Sequence, residues 1–135
     1  MHAPAVVALC AALAEAGFAA AAVDLPLQGE RASRKLSARL AACVARPERA
    51  GVDLLLWQEF LRQAEHDLAA AADALATRRE LDLTRVACLG FEPGAEAAAA
   101  LATRDTRVRA FRRVEEGEAP APILRFLRER PCGAA

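Results

Sequence analysis

Between Arg85 and Ala102 the chain reads RVACLGFEPGAEAAAALA. A short uncharged run, Val86 to Leu89, breaks into Gly90-Phe91-Glu92-Pro93-Gly94 and then into an alanine-rich stretch with helical character. Apolar residues that do not alternate with polar ones predict a strand covered on both faces, and such strands belong to parallel sheets flanked by helices. Gly90 and Gly94 bracket the turn and let the backbone pass sharply from strand to helix. Everything else in the chain has to be arranged around that strand, turn and helix.

With 135 residues the chain is long enough for one domain. Apolar residues make up 55%, but much of that share is alanine and only 4% of residues are aromatic. At about 25 cal/mol per Å² of buried apolar surface, an alanine-rich core is a thin one. Eighteen basic residues balance eighteen acidic ones, so no electrostatic footprint for nucleic acid is expected. The pairs Arg78-Arg79 and Arg112-Arg113 stand near acids and read as a solvated face. Residues 3–22 are apolar, but Glu15, Gly17 and the small size of the alanines make them a poor membrane span or leader. A cytoplasmic location and no membrane partner are the expectation. Cys10, Cys43, Cys88 and Cys132 lack the C-x-x-C clustering of zinc or redox motifs, so no metal site is expected. Nor does any motif call for a cofactor. Cys88, in the strand, should be the least reactive thiol, and Cys132 the readiest to oxidise.

Val6, Val7, Leu9, Cys10 and Leu13 recur at helical spacing and predict a helix over 4–16, ended by Gly17. Pro26 and Gly29 make 25–33 a loop, and 34–45 forms a helix that stops before Pro47. From Val52 through Leu55, Leu56, Phe60, Leu61, Ala64 and Leu68 to Leu75 the apolar positions follow one long amphipathic helix, roughly 40 Å in length. After a turn at 82–85 come the strand 86–89, a helix over 94–102 and a strand over 108–111. The acidic, proline-bearing stretch 115–122 reads as a linker, and 123–130 as a short last helix.

The Gly90–Gly94 turn has the spacing of the G-x-S-x-G nucleophile elbow, with Glu92 at the serine position. The segments LAEAGFAAAAVDLPLQGER, DLAAAADALATRRELDLTRVACLGFEPG and ATRDTRVRAF follow one another as successive helix, strand and loop pieces do in the α/β-hydrolase family. From Ala8 to about Phe111 the chain resembles the middle of that family, in its dienelactone-hydrolase or small-esterase branch. The resemblance implies a further strand at Phe18–Val23, although alanine is a poor strand former. It also implies a loop with Asp24, Pro26 and Gly29, in which Asp24 is structural. The expected fold is therefore α/β: a small parallel sheet of about three strands covered by helices, a truncated hydrolase-like three-layer sandwich. The expected division is a partial domain over 1–114, followed by a linker and short helix over 115–135.

Two working parts of the family's site are changed. Glu92 has no hydroxyl, and Pro93 has no N–H to offer an oxyanion. A carboxylate nucleophile at Glu92 would still need a base within about 3 Å, directly or through one water. The chain offers only His2, at its start, and His66, on the long helix beside Glu65 and Asp67. Glu92 and Glu96 lie four apart near a helix N-terminus, which suits a capping role. The candidate site is thus Glu92 with the elbow backbone of Gly90, Phe91, Pro93 and Gly94. The expected function is a catalytically impaired hydrolase-like binding or interaction domain; the alternative is an ester or lactone hydrolase using Glu92, its missing groups supplied by a partner. A plain helical interaction module stands as a third reading. Partners are expected as further copies or another subunit, through an open sheet edge or the stripe of Leu56, Trp57 and Phe60; the small-molecule ligand is not identified.

Overall fold

Helix α1 (Pro4–Glu15) stops as its sequence requires. Gly17 takes a left-handed φ of 90°, its N–H bonds the carbonyl of Ala14 at 3.0 Å, and the Phe18 N–H bonds that of Leu13 at 3.0 Å. This pair of bonds is the Schellman closure, and Phe18 and Leu13 pack in one apolar cluster as that closure favours. The computed structural model that shows this describes residues 4–46 and 48–130. After a 3-10 turn (Gly29–Arg31) come α2 (Arg34–Val44), α3 (Gly51–Ala76), β1 (Val86–Gly90), α4 (Gly94–Arg104), β2 (Val108–Arg113) and α5 (Pro120–Glu129). Ser33 caps α2, its hydroxyl accepting from the Leu36 N–H at 3.4 Å.

The chain is mixed α/β, mostly helical, with one two-stranded sheet among the described residues, in which β1 and β2 run parallel. Val86 lies opposite Val108; the register then slips, and runs from Ala87 opposite Ala110 to Gly90 opposite Arg113. Successive side chains of a strand face opposite ways. Ala87 and Leu89 join Leu9 and Leu13 of α1 and Ile123 and Leu127 of α5 in one core. Gly90 instead faces α4, where an added Cβ would fall 2.5 Å from Ala95 Cα. Helices therefore cover both faces of the sheet. A second core, Leu25, Leu40, Cys43, Trp57, Phe60, Ala64 and Ala97, joins α2, α3 and α4.

Three expectations need correction. Residues 18–23 join no ladder, so the sheet has two strands rather than about three. Their alanines supply little to pack, and Ala19, Ala20 and Ala21 are exposed. The final helix starts at Pro120, which is suited to a first helical turn because its missing N–H is unneeded there. Its Ile123 is fully buried with Leu9 and Leu13 of α1 and with Val114. Lastly, Trp57 and Phe60 are buried at 6% and 2% exposure and belong to the chain's own core, with Leu56 packed against it. They form no docking stripe, whereas Val52 and Leu55 at the start of α3 point outward.

Polar contacts fasten the crossover. Asp105, just past α4, takes the Arg107 backbone N–H at 3.0 Å and its guanidinium at 2.9 Å, while the same guanidinium reaches Asp73 of α3 at 2.7 Å. The hydrogen bonds from Arg107 hold the Asp105 carboxyl below its ordinary value of 3.8. A lowered folded-state value means the contribution is fully present above the ordinary value and lost as pH falls through the folded one. Asp105→Asn should therefore lower the melting temperature at pH 7, and thermal scans should show its deficit shrinking as pH falls below 3.8. A deficit that persists unchanged in acid would mean that the carboxylate charge is not what the contact uses.

Candidate functional site

The residues singled out in the sequence meet at the carboxyl ends of the two strands, the edge where open α/β sheets hold ligands. Gly90 ends β1 and is buried, Phe91 packs beside the α1/α5 core, and Glu92 emerges into solvent. The Glu92–Pro93 peptide is cis, Pro93 is buried at the N-cap position of α4, and the first helical bond runs from the Ala95 N–H to the Phe91 carbonyl at 2.9 Å. Strand and helix are in contact at once. The position of a Cβ on Gly90 would meet Ala95 N at 2.6 Å and the Gly94 carbonyl at 2.7 Å. Gly94 is less confined: its nearest neighbour would be Leu25 Cδ1 at 3.3 Å.

Arg113 is the residue that the sequence reading did not assign to the site. It ends β2 directly opposite Gly90, and its guanidinium is ion-paired with Glu92 and lies 3.4 Å from Glu96. Both carboxylates that could cap α4 thus share one cation. Pro93 itself makes no side-chain cap. Glu92 and Arg113 are about a third and a half exposed respectively, so the pair contributes on the order of 0–1 kcal/mol. Its consequence is chemical more than energetic: the Glu92 carboxylate is solvated and charge-paired, and among the described residues no histidine stands beside it.

His66 lies elsewhere. Together with Glu65, Arg104, Asp105 and Thr106 it lines an open depression of about 500 Å³ between α3 and the far end of α4. A helix of this length separates that depression from Glu92 by about 15 Å. The His66 side chain is 80% exposed, 3.8 Å from Asp67, in agreement with a solvated helix position. His2 falls outside the described residues, as does Cys132. Asp24 folds back over Gly29, where an added Cβ would strike its carboxylate at 2.3 Å, and its carbonyl accepts from Arg31 at 3.3 Å. That places it in the loop's own structure.

Cys10, Cys43 and Cys88 are free thiols. Burial first, and the Asp105 charge second, push the Cys88 thiol up to about 11, which keeps it protonated at neutral pH. Among the described residues no three His, Cys, Asp or Glu side chains cluster to hold a metal, and no helix is long and apolar enough to cross a membrane. Comparison with family models, with curated proteins and with solved structures found no match for this chain.

The strand–helix contact at Gly90 sets the first test of this geometry. Gly90→Ala should destabilise the protein by about 1–3 kcal/mol or more through overpacking against backbone, and Gly94→Ala by much less. Urea melts of the two variants check the order, and equal losses would place the tight contact elsewhere.

Proposed function

We propose that this chain is an α/β-hydrolase-like interaction domain that does not hydrolyse esters or lactones. One observation carries the reading: the residue in the nucleophile position, Glu92, is held by Arg113, while His66 sits at the opposite end of α4. A carboxylate that attacks carbon must leave its counter-ion, and the ester it forms must then be cleaved by a water activated by a base. Among the described residues this elbow has a counter-ion and no base beside it. Pro93 removes the N–H that would otherwise receive an oxyanion. The hydrolase-like layering, helices on either side of a parallel sheet, is used in this reading to display the sheet's edges rather than a reaction centre. Cytoplasmic conditions, which keep Cys10, Cys43 and Cys88 reduced, suit such a domain.

The purified chain should turn over p-nitrophenyl acetate no faster than buffer containing an equal mass of an inert protein. Turnover that disappears in Glu92→Gln would overturn the proposal in favour of a glutamate-dependent hydrolase. Glu92→Ser should also be inactive, because a serine without a base is a weak nucleophile. Covalent labelling of that variant by a fluorophosphonate, accompanied by turnover, would reveal a base that this reading lacks.

A further inference from the structure

We draw no further inference here: the strongest candidate, the apolar surface patch that Val52 and Leu55 present at the start of α3, carries none because nothing in the structure shows what covers it.

Discussion

The contact on which the rest of this structure depends is that between the end of β1 and the first turn of α4. Because Gly90 has no side chain, the helix backbone approaches the strand closely enough that a methyl group would meet Ala95 Cα at 2.5 Å. That approach keeps the turn through residues 91–93 short and lays α4 directly on the sheet, where Ala95, Ala97 and Ala98 are buried. Small residues on the buried side of α4 are what make close packing feasible, since a larger side chain would hold the helix away from the strand. With α4 seated there, the chain returns along β2 in parallel, and Arg113 arrives opposite Gly90.

The arrival of Arg113 decides the character of the site. An elbow that lifts a carboxylate above the sheet edge could serve attack, binding or neither, depending on what stands next to it. Here the neighbour is a guanidinium shared with Glu96, and the depression containing His66 lies beyond the other end of α4. The most charged part of the sheet edge is thereby neutralised from within the chain. The strand before the elbow, Val86 to Gly90, carries no charged side chain of its own.

Much of this was legible from residue order. Gly17 predicted the end of α1, Pro47 predicted a stop for the helix over 34–45, and Gly90 with Gly94 predicted the strand-to-helix turn, because each depends on local backbone geometry. The long period of α3 was equally plain. Its sides were less so: Val52 and Leu55 follow the apolar period yet point outward, because α2 packs on another side of that helix's start, where Arg39 and Cys43 meet Asp53. The reading of 18–23 failed for a different reason. A strand is defined by its neighbour, and four alanines carry too little side chain to recruit one.

The amino-acid sequence by itself determined the local elements, the elbow spacing, and the absence of a hydroxyl at position 92 and of an N–H at position 93, since these are properties of single residues or of residues close in the chain. Only the tertiary structure decided which charges meet and which strands pair. Arg113 stands twenty-one positions after Glu92 in the numbering and joins it through the parallel register. Ile123 is buried by α1 from the other end of the chain. Such pairings depend on how the helices stack around the strands, and no local pattern of residues encodes that stacking by itself.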